Sequence, residues 1–364
     1  MTTTASVRKL PRLTWPLSVF AVVVAILIGL GVGAVSIPPI DALREVLSQL
    51  TNDRIQSSLS PTEATIIWDL RLPRVILALV VGSMLASAGC AYQGAFRNPL
   101  ADPYLLGVSA GAGLGATIVI FTRVDTSRWE LPLAAFVGAL GAVLLTYLLG
   151  RSAIVGRSST SLVLAGVAVA SMLTAIQTLL QQRNTDKIRE VYSWVLGRLS
   201  TAGWGDVQLV TPYILICIVV LVLYRRVLDI FSVGDEEAHT MGLQVGRARA
   251  AIIVAASLGT AAAVSVTGLI GFVGIIVPHT IRLFVGHSYR LLMPLSTIFG
   301  GIFLVLADVV ARTVLAPQEI SIGVITALIG APFFLFISEV STGFCVSKLI
   351  FYVLKTVIVK FYVC

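Results

Sequence analysis

Charge is scarce in this chain. Of its 364 residues, 12% are Asp, Glu, Lys or Arg, against roughly 25% in soluble domains. The hydrophobic share is 57% and the mean hydropathy is +0.95. A soluble chain this apolar could not cover itself with polar surface, so lipid must be its solvent. Metal and disulfide chemistry are equally thin. The four cysteines, Cys90, Cys217, Cys345 and Cys364, form no CxxC pair and read as small core residues. The three histidines, His239, His279 and His287, are scattered, and neither an HExxH nor a His-x-Glu with a CxxC occurs. No G-x-x-x-x-G-K-[ST] loop is present to cradle nucleotide phosphates. The formal charge of +8 comes without basic–aromatic interleaving, which argues against nucleic acid and for basic loops that orient a membrane protein.

Span-length apolar sequence fills the chain instead. A helical span needs about 20 such residues to cross roughly 30 Å of hydrocarbon. Spans are expected at about 15–35, 74–95, 104–122, 131–150, 160–181, 207–224, 249–267, 269–286, 290–312 and 319–338. Lipid cannot satisfy an exposed backbone, so every span should be helical. The run from Trp15 to Val35 follows a basic flank but lacks an A-x-A cleavage site, and is read as a retained first span. The expected class is all-α: one polytopic helix bundle over 1–340, with an atypical tail at 341–364.

The basic N-terminus and the Arg225-Arg226 pair favour a cytoplasmic N-terminus. Ten spans divide into two sets of five, which makes any repeat inverted. Arg74, Gly89 and Pro99 are faintly echoed by Arg249, Gly268 and Pro278. Three segments lie between spans: an outer polar loop at about 36–73, a second at 182–206 with a short amphipathic stretch, and an inner loop at 225–249. In the inner loop Asp235, Glu236 and Glu237 favour a helix start. Asn98-Pro99-Leu100-Ala101-Asp102-Pro103 is a turn, because its two prolines remove backbone donors.

Long stretches carry a specific pattern. They are RLPRVILALVVGSMLASAGCAYQGAFRNPLADPYLLGVSAGAGLGA at 71–116, LVLAGVAVASML at 162–173, VYSWVLGRLS at 191–200 and GDEEAHTMGLQVGRAR at 234–249. VTGLIGFVGIIVPHTIRLFVG at 266–286, LADVVAR at 306–312 and IGVITALIGAPFF at 322–334 complete the series. In this order they resemble the permeases of ABC importers for iron–siderophore chelates, haem and cobalamin. The resemblance implies a type II importer permease with an inverted five-plus-five repeat in a bacterial cytoplasmic membrane. It would pair with a second copy or paralogue, cytoplasmic ATPase subunits and an extracytoplasmic substrate-binding protein. It would carry no cofactor of its own and no enzymatic activity, with ATP and Mg on the partner ATPase.

The resemblance also implies roles for residues. Asp235, Glu236, Glu237, Ala238, Met241, Gly242 and Leu243 would dock the ATPase. Arg71, Arg74 and Arg312, at outer span ends, would receive carboxylates of the binding protein, which their planar forks suit. Ser159, Thr160 and Ser161, with Asn98 and Pro99, would belong to the cytoplasmic gate and pathway, although small hydroxyls at that point equally suit helix N-caps. Asp308, a costly intramembrane acid, is expected to pair with Arg312 one turn on. The alternative function is a secondary transporter driven by an ion gradient, which would need several intramembrane ionisable groups. The sequence leaves open which chelate is carried.

Overall fold

The computed structural model describes residues 14–33, 35–51, 58–122, 129–150 and 159–342. All regular structure among them is helical. In chain order the helices are α1 (Thr14–Gly31), α2 (Pro39–Leu50), α3 (Pro61–Thr65), α4 (Leu72–Phe96), α5 (Val108–Thr122), α6 (Glu130–Gly150) and α7 (Ser159–Arg183). They continue as α8 (Ile188–Val195), α9 (Trp204–Leu223), α10 (Arg225–Phe231), α11 (Asp235–Thr240), α12 (Val245–Thr267), α13 (Val273–Val285), α14 (Tyr289–Thr313) and α15 (Ile322–Thr342). Among the described residues, seven helices are long and apolar enough to cross a membrane, and three shorter apolar helices, α5, α13 and the first part of α15, complete the expected set. The short third member recurs in both halves of the chain, as α5 and as α13. The tail, apart from its first two residues at the end of α15, lies outside the described residues.

The expected polar loop at 36–73 is a correction: most of its described residues are helical. Pro38 leads into α2, and Ser60 opens α3 with a capping box. Its hydroxyl accepts from the Glu63 amide while the Glu63 carboxylate accepts from the Ser60 amide, and Pro61 stands at the first turn. A π-helical turn, Ile66–Arg71, then joins α3 to α4 without a break. The rod from Pro61 to Phe96 has 36 residues, roughly 54 Å at 1.5 Å per residue, and therefore outruns the hydrocarbon. The extra residue in the π turn rotates the side chains beyond it to new directions. Arg71 faces α1 and Arg74 faces α14.

Helix α4 is the centre of the bundle. Glycine lets other backbones come against it: a Cβ on Gly82 would run into the Gly300 carbonyl of α14, and one on Gly89 into the Gly274 carbonyl of α13. Small residues serve helix contacts in lipid in this way, since close approach replaces the hydrophobic drive.

Between α12 and α13 the chain is irregular over Gly268–Phe272, deep among other helices. Such backbone survives only where protein satisfies its polar groups. Tyr104 does so with one hydroxyl, which accepts from the Ile270 amide at 3.1 Å and donates to the Ile270 carbonyl at 2.9 Å. On the other side Arg198 donates its amide to the Thr267 carbonyl at 2.7 Å. Tyr104→Phe keeps the ring but strands both groups of Ile270, at about 1–3 kcal/mol each. The melting temperature of the purified variant in detergent should fall by several degrees. Gly141→Ala, at a glycine inside α6 with open space around its Cβ position, should not lower it.

Candidate functional site

The first candidate lies where α4 ends. Helices α10 and α11 stand between the long helices α9 and α12 and are fastened to α4, α12 and α14. The Asp229 carboxylate accepts from the Tyr289 amide at 2.6 Å and the Ser288 hydroxyl at 3.1 Å, and pairs with Arg290 at 3.4 Å, so α10 is clamped to the start of α14. Leu228 packs against Gly94 of α4, and Phe231 is buried beneath the Arg249 guanidinium, 5.1 Å from its ring centre. Asp235, the first residue of α11, accepts from Arg249 of α12 at 2.7 Å and lies 3.7 Å from Arg97, next to the Asn98-Pro99 turn. The hydrogen bond from Arg249, with the Arg97 charge added, holds this carboxyl below the usual carboxylate range. Gln93 donates to the Gly274 carbonyl and accepts from Arg282, which carries the network into α13.

Two glycines with positive φ bracket α11: Gly234 at +147° and Gly242 at +80°. The Ala238 side chain is buried and Leu243 packs against the core. Glu236, Glu237, Met241 and Gly242 are exposed, and Met241 is 64% exposed. Of the seven residues expected to dock a partner, the exposed group and the anchoring group therefore separate. Asn98 and Pro99 are exposed on the same end; the Asn98 side chain accepts from the Leu100 amide at 2.9 Å, which fixes the turn. Ser159 and Thr160 open α7, and Ser161 comes next as a buried residue.

The second candidate is at the other end of α4. Arg74 and Arg97 are 23 positions apart, roughly 35 Å along a helix. Arg74 is buried and holds two carboxylates. Its Nε donates to both Asp308 oxygens at 3.0 Å and its Nη2 to Oδ1 at 2.8 Å, while Nη1 donates to both Glu319 oxygens at 3.0 Å. Arg312 reaches the same Asp308 at 3.3 Å. The expected Asp308–Arg312 pair is therefore present, but the principal partner of Asp308 is Arg74, from another helix. Arg71 donates to the Leu30 and Gly31 carbonyls at the end of α1 and to the Val35 carbonyl just beyond it.

The three arginines expected on an exposed docking face are 6%, 9% and 6% exposed, at Arg71, Arg74 and Arg312, and their polar ends are turned inward. The reason is the continuous α3–α4 rod, which takes Arg71 and Arg74 away from a span end and into the packed wall. Glu319 joins Arg74 across 245 residues, and no local pattern in the sequence announces such a pair.

A bundle of ten apolar helices among the described residues, with an irregular segment inside it and a polar helical pair projecting at one end, defines a multi-pass transport permease. The chain belongs to the FecCD transport family, which matches residues 21–339, and is a permease subunit of an ABC importer. It is 38% identical over 314 residues to the uncharacterized ABC transporter permease YvrB of Bacillus subtilis, covering 85% of this chain and 89% of that one. It is 42% identical over 284 residues to the cobalamin import permease BtuC of Halobacterium salinarum, covering 78% and 76%. The hemin transport permease HmuU of Yersinia pestis is 34% identical over 337 residues, covering 91% and 96%. Among solved structures, an inward-facing ABC transporter assigned to the metal-chelate type superposes with a TM-score of 0.76 at 29% identity. That match covers 87% of this chain and 96% of the other.

The ion cluster makes a graded prediction. Arg74→Met leaves two carboxylates without their main partner, one of them fully buried, and should cost about 3–5 kcal/mol. Arg312→Met should cost less, because Asp308 keeps its bonds to Arg74. Denaturant titration of the two variants in micelles ranks them. Equal losses would show that Arg74 is not the principal partner.

Proposed function

We propose that the chain forms half of the membrane channel of an importer for a metal chelate of the iron–siderophore, haem or cobalamin kind. It works beside a second permease copy or paralogue, in a bacterial cytoplasmic membrane with its N-terminus inside. The names of the relatives support the substrate class: hemin and cobalamin for two of them, and Fe(3+)-citrate for a third, YfmE of Bacillus subtilis, which is 34% identical over 332 residues. The second copy is supported by α7, the least buried of the long spans, of which 17% is covered within this chain. Its exposed side mixes Leu164, Val167, Met172 and Leu179 with Ser171, Thr174 and Thr178. Such a surface suits a helix that packs on a partner along one strip and borders an aqueous path along another.

One observation carries the mechanism: α10 and α11 project from the bundle yet are tied by charge and packing to α4, α12 and α14. ATP and Mg belong to a cytoplasmic ATPase, which seats on the exposed side of α11 through Glu236, Glu237 and Met241. Displacing α11 then draws Arg249 and Arg97 with it, and through Asp229 the start of α14. The chain itself carries out no catalysis. At the far end an extracytoplasmic binding protein delivers the chelate. Arg71, Arg74 and Arg312 brace that face from beneath, and an incoming carboxylate reaches Arg74 only by displacing Glu319, whose side chain is 39% exposed.

Two substitutions in α11 and its exit test the coupling. Met241→Asp, on the exposed side, should abolish copurification of the ATPase while the permease inserts and melts normally. Leu243→Asp, which places a charge against the core, should lower the yield of folded permease itself. Normal ATPase recovery with Met241→Asp would count against this docking face. The purified permease alone in liposomes should hydrolyse no ATP.

A further inference from the structure

The stretch 191–200 takes no part in the coupling and docking described above, yet it brings a third charged group to the outer cluster. Arg198, just beyond α8, lines a cavity of about 150 Å³ with Arg74, Asp308, Glu319, Ser200 and Ser321. The charge balances, two arginines against two carboxylates, but the partners are unevenly shared. Arg74 holds both carboxylates, with Nε and Nη2 on Asp308 and Nη1 on Glu319. Arg198 holds neither among the described residues, and its buried Nε has no acceptor there. The carboxylates are not equally fixed. Asp308 is paired with Arg312 as well and its side chain is 1% exposed, whereas Glu319 is bound by Arg74 and is 39% exposed. Glu319 is the one that can change hands.

The backbones that carry Arg198 and Glu319 are locked together. Gly323 donates its amide to the Leu196 carbonyl at 3.0 Å, and Arg198 donates its own to Thr267 at 2.7 Å. A Cβ on Gly323 would strike the Leu196 carbonyl, and one on Gly197 the Leu269 carbonyl. Ile320, next to Glu319, donates its amide to the Ala311 carbonyl at 2.9 Å. With the chain held on both sides, moving Glu319 from Arg74 to Arg198 takes side-chain rotation alone, through a space lined by hydroxyls. A second guanidinium fork offers the carboxylate the same charge-assisted bonds as the first.

We propose that Arg198 is a positioning residue for docking: it receives Glu319 when a carboxylate of the extracytoplasmic binding protein takes over Nη1 of Arg74. No carboxylate is then stranded, and charge ties the exit of α8 to the start of α15. The trigger rests on the docking role proposed above for this face; the capacity of Arg198 to hold Glu319 does not. Arg74→Lys tests that capacity with no partner present, because an ammonium keeps its charge beside Asp308 but lacks the fork that spans two carboxylates. In full-length permease purified in detergent, Arg198→Gln should lower the melting temperature by several degrees in the Arg74→Lys background and hardly at all in the parent. A structure of Arg74→Lys should show the Glu319 carboxylate on Arg198. Equal losses in the two backgrounds, or Glu319 turned away from Arg198 in that structure, would overturn the proposal. Docking of the cognate binding protein then tests the trigger. Arg198→Gln should weaken it about tenfold, the scale of one charge-assisted hydrogen bond, and Arg198→Lys should restore most of the affinity. Unchanged affinity in Arg198→Gln would overturn the exchange alone. No docking to the parent would overturn the reading of the outer face and the trigger with it. If the Arg74 variants give no folded protein, the docking comparison of Arg198→Gln and Arg198→Lys decides the matter.

Discussion

Backbone-to-backbone contact through glycine is the constraint on which the rest of this architecture depends. Where α4 meets α14 at Gly82 and Gly300, and α13 at Gly89 and Gly274, no side chain stands between the helices. Lipid offers no hydrophobic drive for helix association, so dispersion at this short range does the holding. The approach also brings Gln93 within reach of the Gly274 carbonyl and sets Gly94 against Leu228 and Tyr289. A bulkier residue at any of these positions would separate α4 from the helices that carry the polar network.

Both ends of α4 then carry charge, and they do so differently. At the α11 end the ion pairs are partly exposed: Asp235 and Arg97 keep 40% and 47% of their side-chain surface. Exposed pairs of this kind are worth little individually, about 0–1 kcal/mol, and exchange readily. At the far end Asp308 and Arg74 keep 1% and 10%. A pair buried that deeply holds its geometry, because losing a partner is expensive. One end can exchange its partners at little cost, and the other holds the bundle together.

The spans are legible in the sequence because length and hydropathy are local properties and lipid imposes both. Even the break after Thr267 is visible, through Gly268 and the change of span there. The stretch before α4 is not. Its Ser, Pro, Thr and Glu look like loop residues, but Ser60, Pro61 and Glu63 are the ordinary chemistry of a helix start, and the span behind them continues that helix outward. Helix α11 itself is legible, since acidic residues leading to a glycine exit mark a short helix. Which of them face outward is not, because Ala238 and Leu243 are buried by helices far away in sequence. Arg74 looks like a surface charge for the same reason: Asp308 and Glu319 lie 234 and 245 residues away.

The exposed side of helix α7 has a consequence for the surroundings it tolerates. A hydroxyl facing hydrocarbon is costly unless it has a partner, and on α7 Thr178 finds one within its own helix, donating to the Thr174 carbonyl at 2.9 Å. That bond is made within one helix, so the hydroxyl is satisfied wherever the exposed side of α7 lies. The same hydroxyl can turn from its own backbone toward water without any helix being rebuilt. The exposed face of α7 is thus chemically complete within the single chain, against lipid and against water alike.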